Sequence, residues 1–397
     1  MKILQVISYF YPAWTHGGPV KIVYEISKEL VAKEHKVTVW TTNVYDRKRR
    51  LNVDKNNAVN IKGIRTYYFR NISNILAANY NFFFVPKILS VARREILKFD
   101  VIHLHEYYTL QNVVVCYYAK TYKIPYVLNT QGSLCPIRRR QKSVAKKVFT
   151  YLFGKYILRN ASKTIALTKE EKKQFMIMGI PENKIKIIPN GIHLSEFKDS
   201  PPKGIFRKKY SISQNTKVIL FLGRIHKIKG LDLLIKAFYE LTKEMNNIKL
   251  VIVGPDGGYL SNLNKLIRTL RLKEKVLLTG GIYQKEKLSA YVGADVFVLP
   301  SYSEGLPMTV LEACAVGTPV VITDKCNASE VEDYQAGFVV KCDEKEIKEA
   351  LYKILSNENL RKKLGENGKK MIKERFTWNK IIEQIEQVYK EVSGKTI

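Results

Sequence analysis

ADVFVLPSYSEGLPMTVLEACAVGTPVV, residues 294–321, carries the reading from which the rest of the chain follows. Positions Val296 to Leu299 are all apolar, so the segment is a strand covered on both faces, with no wet side. Pro300 stops it, because proline has no N–H to give to a ladder. A polar loop with Glu304 comes next, and then a helix that holds Glu312. A two-sided apolar strand leading into a helix is the building unit of a parallel α/β sheet.

The same rhythm extends outward. Upstream lie KVILFLGR (217–224), a helix from Leu231 to Met245, KLVIVGPDGG (249–258), a further helix and KVLLTGG (275–281). Farther back are KILQVIS (2–8), a helix from Val20 to Ala32, HKVTVWTT (35–42), FDVIHLHE (99–106), YVLNTQG (126–132), KTIALT (163–168) and KIKIIPNG (184–191). A chain of 397 residues is longer than one core usually spans. The expectation is therefore an α/β chain of two doubly wound, Rossmann-like domains facing each other across a cleft. Residues 1–197 are the expected first domain and residues 198–375 the expected second. The polar stretch HLSEFKDSPPKG (193–204) is the expected linker. Residues 376–397 are expected as a helix that packs back on the first domain. Ligands of such sheets bind at the C-terminal ends of the strands, which makes strand-end residues the candidates for chemistry.

Composition narrows the class. The chain is 46% apolar and 26% charged, ordinary for a folded protein. No apolar run approaches the roughly 20 residues that span a bilayer, and the start lacks a signal peptide's apolar core. The five cysteines are scattered without a Cys-x-x-Cys pair, which argues against a disulfide framework or a zinc site. The expected location is the cytoplasm. The outlier is a net charge of +31. Residues 1–195 hold 33 Lys and Arg against 11 Asp and Glu, a net of +22; the rest hold 34 against 25, a net of +9. From Tyr107 to Lys169 there are 12 basic residues and no acid. Such a face attracts phosphates, whether of a nucleic acid or of an anionic membrane.

Three strand ends stand out. After the first strand, Gly17 and Gly18 precede a helix N-terminus, where an anion is favoured and the backbone can come close to it. Taken alone, the pair is also what a tight turn needs. FLGRIHKIKG (221–230) ends a strand at Gly223 and continues with Arg224 and Lys229, which can grip a diphosphate by a fork and a point charge. Glu304 and Glu312 lie about two helical turns apart, so both carboxylates can face one ligand and accept from vicinal hydroxyls. Glu312 stands among Val310, Leu311, Ala313 and Ala315, where an unpaired acid is costly. There is no G-x-G-x-x-G, which excludes the usual dinucleotide oxidoreductase, and no Walker A loop. No nucleic-acid-binding signature accompanies the basic charge.

In this order and spacing, the motifs resemble the family 4 glycosyltransferases of the GT-B fold. They are Gly17-Gly18, Pro189 to Ile192, Gly223 to Gly230, Val253 to Gly257, and the run from Glu304 to Val321. The resemblance implies a retaining transferase that takes a UDP- or GDP-sugar as co-substrate, with no other cofactor and no metal; no Asp-x-Asp is present. Arg224, Lys229 and Glu304 would be catalytic. Arg224 and Lys229 would hold the donor diphosphate, together with Gly223, Gly17 and Gly18. Glu304 would bind the donor sugar, beside Gly305 and Leu306, and Glu312 the ribose. Base selection would fall to the loop Thr279 to Ile282. Gln131, in NTQGSLCP (129–136), stands where many relatives carry His; an amide can hydrogen-bond but cannot become cationic.

The acceptor side is read from the first half. Gln131, Arg138 and His105 are the candidate acceptor contacts. His103 and His105 share one strand face, and of the two His105 is expected to face the cleft. The segment PIRRRQKSVAKKVFTYLFGKYILRN (136–160) holds eight basic residues with apolar groups at helical spacing, the pattern of a helix lying on an anionic bilayer. A core helix with a solvated basic edge fits the same pattern. The expected acceptor is a glycan or a polyprenyl-diphosphate-linked glycan, taken up by an enzyme peripheral to the inner face of the membrane. A sugar-nucleotide epimerase of the same fold, or a non-catalytic basic protein binding nucleic acid or membrane, are the other readings.

Overall fold

The computed structural model describes residues 1–14, 18–46, 48–53, 57–80, 83–134 and 143–395. The chain divides into two compact units. Unit 1 is Met1–Asn190 with Trp378–Ile397, and unit 2 is Gly191–Thr377. The division thus falls before the stretch read as a linker. That stretch is folded into unit 2: Ser195–Lys198 and Gly204–Lys209 are helical. Arg207 is fully buried there, its guanidinium paired with Asp295 (2.7 Å) and donating to the Gly293 and Thr216 carbonyls. A buried cation must be paired and hydrogen-bonded, and these contacts meet that need just past the stretch expected as linker.

Unit 1 is built on an eight-stranded sheet. In chain order its strands are β1 (Lys2–Val6), β2 (Lys36–Thr42), β3 (Val59–Ile61), β4 (Ile64–Phe69), β5 (Val101–His105), β6 (Tyr126–Asn129), β7 (Lys163–Ala166) and β8 (Ile185–Ile187). Their spatial order is β3-β4-β2-β1-β5-β6-β7-β8. All neighbours are parallel except β3 and β4, a hairpin not anticipated from the sequence. The order reverses between β1 and β5, where Gln5 lies opposite His103. The C-terminal helix Trp378–Ser393 counts with this unit. It buries Ile381, Ile382, Ile385 and Tyr389, one face at helical spacing. Its Glu386 binds Lys33 (2.7 Å) and His35 (2.8 Å) at the far end of the helix that follows β1.

Unit 2 has six parallel strands: β9 (Lys217–Leu222), β10 (Ile248–Val253), β11 (Val276–Gly280), β12 (Val296–Leu299), β13 (Val320–Thr323) and β14 (Gly337–Val340). Their order is β11-β10-β9-β12-β13-β14, which in chain terms is 3-2-1-4-5-6, the dinucleotide-fold order. β9 and β12 are the pair at which the order reverses, with Ile219 opposite Val296. The helix Leu231–Glu244 covers one face with Leu231, Leu234, Ile235, Phe238 and Leu241, all buried. Among the described residues, no helix is long and apolar enough to cross a membrane.

Candidate functional site

In unit 2 the residues singled out from the sequence gather at the C-terminal ends of β9 and β12. The loop after β9 is drawn against the end of β12 at Gly230. This residue is left-handed (φ 65°), and a Cβ on it would lie 1.9 Å from the carbonyl oxygen of Pro300. Glycine is therefore required twice over, by backbone conformation and by space. The Tyr302 N–H donates to the Ile228 carbonyl (2.8 Å) and fastens the same two loops. On the other side, Gly254 (φ 153°) packs its α-carbon over the Gly223 carbonyl, where a Cβ would sit 1.8 Å away. Asp256 caps that turn by accepting from the N–H groups of Gly258, Tyr259 and Leu260. Its carboxyl is lowered by those backbone bonds.

The side chains fall into two groups. Lys229 Nζ donates to Glu304 Oε1 at 2.5 Å, and Ser301 Oγ donates to the same oxygen at 2.6 Å. Glu304 is itself held by its backbone: its N–H donates to the Lys325 carbonyl (2.9 Å), and its carbonyl accepts from Asn327 Nδ2 (2.7 Å). Both side-chain bonds fall on Oε1, and Oε2 has none among the described residues. Arg224 is exposed and has no carboxylate partner among the described residues. Glu312 stands on the helix Met308–Val316 and is engaged elsewhere. Lys287 donates to its Oε1 (2.7 Å) and the Tyr291 hydroxyl to its Oε2 (2.8 Å). The apolar surroundings of Glu312 thus hold a paired acid. Tyr291 is raised well above its ordinary range, by burial first and by Glu312 second. Gly223 opens the first loop, Gly305 and buried Leu306 follow Glu304, and buried Ile282 ends the loop after β11.

In unit 1 one expectation is corrected. His105 faces no solvent; it and His103 are both fully buried, with ring centroids 4.0 Å apart. Strand alternation puts Gln5, His103 and His105 on the face that the C-terminal helix covers. His105 Nε2 donates to Gln5 Oε1 (2.6 Å), Gln5 Nε2 donates to the Tyr389 hydroxyl (3.1 Å), and that hydroxyl donates to His103 Nδ1 (2.7 Å). Burial pushes His103 down to about 3, and lowers His105 as well, with His103 as a second cause. The pair is a neutral polar filling between sheet and helix, with no exposed surface.

Gln131 lies in the turn after β6 with φ 50°, and its Nε2 is buried without a partner among the described residues. The turn is pinned by Glu171, which the sequence reading passed over. Its carboxylate accepts from Thr130 Oγ1 (2.6 Å), Gly132 N–H (2.7 Å) and Leu167 N–H (2.8 Å). Thr168 caps the same helix by accepting from the Glu171 N–H. The T-x-x-E spacing of a capping box was the signal that marked it. Gly18 opens the helix Gly18–Ala32 with open space where its Cβ would be. Gly17 and Arg138 lie outside the described residues, as do positions 136–142 of the basic segment. From Ser143 to Asn160 that segment is helical, with a π-helical stretch at Thr150–Gly154. It turns Ile157 and Leu158 inward and leaves Val144, Val148, Tyr151 and Leu152 exposed in one stripe.

Sequence comparison also divides the chain in two. Residues 16–196 match the family described as Glycosyltransferase Family 4, and residues 202–371 match Glycosyl transferases group 1. An uncharacterised glycosyltransferase of Methanocaldococcus jannaschii is 29% identical over 98% of both chains. The capsular polysaccharide biosynthesis glycosyltransferase CapM of Staphylococcus aureus is 30% identical over 62% of this chain and 67% of its own. Among solved structures, HepE of Anabaena in complex with UDP and glucose superposes with a TM-score of 0.76 at 19% identity, covering 98% of this chain and all of that one.

Proposed function

The chain belongs to the family 4 glycosyltransferases of the GT-B fold and is a sugar-transferring enzyme of glycan biosynthesis; from that premise we propose that it moves a sugar from a UDP- or GDP-sugar to a glycan or polyprenyl-diphosphate-linked glycan, with retention of configuration and without a metal. The observation that carries the donor side is the pairing at the β9–β12 reversal. Unpartnered Arg224 shares a loop with Lys229, and Lys229 is bonded to a carboxylate whose second oxygen is open. That is diphosphate chemistry and hydroxyl chemistry in one place. Arg224 and Lys229 stabilise the charge that develops on the leaving diphosphate as the anomeric bond breaks, and Glu304 positions the sugar through its hydroxyls. Glu312 serves the ribose with the lone pairs left after Lys287 and Tyr291. The HepE complex, which carries UDP and glucose, supports the donor class.

The test is thermal shift against UDP-, GDP- and ADP-sugars in EDTA. A ligand at about 100 times its dissociation constant adds about 2.7 kcal/mol. A rise with one base supports the reading and names that base; no rise with any of them defeats it.

The acceptor reading rests on the basic face. The stripe Val144, Val148, Tyr151 and Leu152 is flanked by exposed Lys147, Lys155 and Arg159, which is the make-up of a helix lying in an anionic bilayer surface. Each cation near such a surface contributes about 1 kcal/mol. Flotation with phosphatidylglycerol vesicles at low salt checks it: the chain should float, and Val148→Asp with Leu152→Asp should not. A chain that stays at the bottom overturns the membrane reading.

A further inference from the structure

The residue after His105 is held in a way that none of these roles uses. Glu106 has φ 68°, a left-handed conformation that costs a residue with a side chain about 1–2 kcal/mol. Both of its backbone groups are fixed. Its N–H donates to the Asn129 carbonyl (3.0 Å), and its carbonyl accepts from Asn112 Nδ2 (3.0 Å). The alternation that buries His103 and His105 therefore breaks at the strand end. The carboxylate turns to the loop after β1, where the Ser8 N–H donates to Oε2 (3.3 Å). Glu106 stays partly exposed while Ser8, His105 and Asn112 around it are buried. It sits where β1 and β5 part, the reversal point of this sheet, at which doubly wound folds bind ligands. Held strain at such a point is a mark of function.

Two further observations point to a ligand. Buried polar atoms without partners among the described residues collect at this end of β5 and β6: Thr109 Oγ1, Asn112 Oδ1, Gln131 Nε2 and Ser133 Oγ. Such orphans are expensive unless a further group completes them. The loop that holds Ser8 also presents the rings of Tyr11 and Trp14, 36% and 43% exposed and 5.4 Å apart. A carboxylate, an amide and exposed aromatic faces are the groups that take a sugar ring, with its hydroxyls outside and its C–H bonds on the faces. A metal cation fits poorly in a half of the chain with a net charge of +22.

We propose that Glu106 is the residue that selects and orients the acceptor, its carboxylate accepting a hydrogen bond from a hydroxyl of the acceptor's terminal sugar while Gln131 donates to the same ring. The proposal rests on the glycosyltransferase reading. Burial raises the Glu106 carboxyl, with the Ser8 bonds opposing, and a hydroxyl donor relieves that cost.

Glu106→Gln keeps the shape and removes the charge. With the nucleotide sugar that raises the melting temperature as donor, the acceptor probes are octyl β-glucoside, octyl β-galactoside and octyl α-mannoside. A hydrogen bond to a charged group corresponds to a loss of about 10- to 100-fold. The acceptor KM should rise by that factor and the ranking of the probes should change. Nucleotide release to water, without acceptor, should stay within twofold. An acceptor KM within twofold of wild type overturns the proposal, as does a parallel fall in water-directed release. Saturation-transfer NMR of the same glycosides on the full chain without donor reads the site independently of turnover. Signals lost in Glu106→Gln support it, and unchanged signals, or none with the wild type, refute it. A wild type that releases no nucleotide from any donor defeats the glycosyltransferase reading, while the NMR comparison still decides on Glu106.

Discussion

Gly230→Ala should strike the loop after β9 hard, and its effect can be worked from two quantities. The first is conformational: at φ 65° a side chain costs about 1–2 kcal/mol. The second is steric. The added carbon would lie 1.9 Å from the Pro300 oxygen, against a floor near 3.0 Å for real contacts, so loop and strand end must part by 1.1 Å. Overpacking of that kind costs about 1–3 kcal/mol. The sum is about 2–5 kcal/mol. Unit 2 spans residues 191–377, and at roughly 2–4 °C per kcal/mol for a domain of that size its melting temperature should fall by roughly 4–20 °C. Gly258→Ala is the control. It shares the positive φ (93°) but has nothing within 4 Å of its Cβ, so only strain remains, roughly 2–8 °C by the same scale. Calorimetry on the two variants separates the terms. Equal losses would refute the claim that Gly230 is needed for the closeness of the two loops. The parting also pulls Lys229 from Glu304, so the residual folded protein should bind nucleotide sugar more weakly, whereas the control should not.

If Arg224 holds the donor diphosphate as proposed, Arg224→Ala should lower turnover by on the order of 100-fold; because Arg224 is exposed and has no carboxylate partner among the described residues, its melting temperature should stay put, and a large fall would assign it a structural role instead. Gly18→Ala meets open space in the first turn of a helix and should leave stability unchanged, so any rise in donor KM reports close approach of the diphosphate, while unchanged kinetics would remove Gly18 from the site. Acid should destabilise unit 1 through its histidines. With folded values lowered from 6.5, His103 to about 3, the neutral rings contribute fully above about pH 6.5, and that contribution is lost as protons are taken up on unfolding at lower pH. Melting temperatures that do not fall between about pH 7 and 5 would contradict the burial of the pair.

The architecture was legible because a parallel sheet writes itself as two-sided apolar strands, and VFVL, KLVIV and KVILFL carry that signal without help from tertiary contacts. The donor loop was legible for a different reason. Its glycines answer local demands, a left-handed turn at Gly230 and a backbone contact at Gly254, and those demands leave a residue type behind. The acceptor side was harder to read. His105 is a polar residue on an apolar strand, yet it is bonded to Gln5, 100 positions earlier, whose amide donates in turn to Tyr389, and contacts of that span leave no local pattern. Glu106 is the reverse case: it looks like the charged end of a strand, and only its φ and its bond from Ser8 set it apart. Arg207, just past the stretch expected as linker, is hidden for the same reason, because it finds its carboxylate at Asp295, again out of sequence range.

The two reversal points are wired in opposite ways, and the contrast bears on what each can bind. In unit 2 the carboxylates already hold cations, Glu304 with Lys229 and Glu312 with Lys287, so the site is near neutrality apart from Arg224. A diphosphate entering it meets one free charge and one that must be shared with Glu304, which favours a ligand bringing phosphate and hydroxyls together over phosphate alone. In unit 1 Glu106 is followed by 63 residues without another acid, among them 12 basic ones. A long-range field of that sign draws in any polyanion and distinguishes poorly among them. On the proposed assignment, discrimination comes from groups that read hydroxyls, Glu106 and Gln131. An acceptor that carries both phosphate and sugar satisfies field and reader at once, whereas a nucleic acid satisfies only the field.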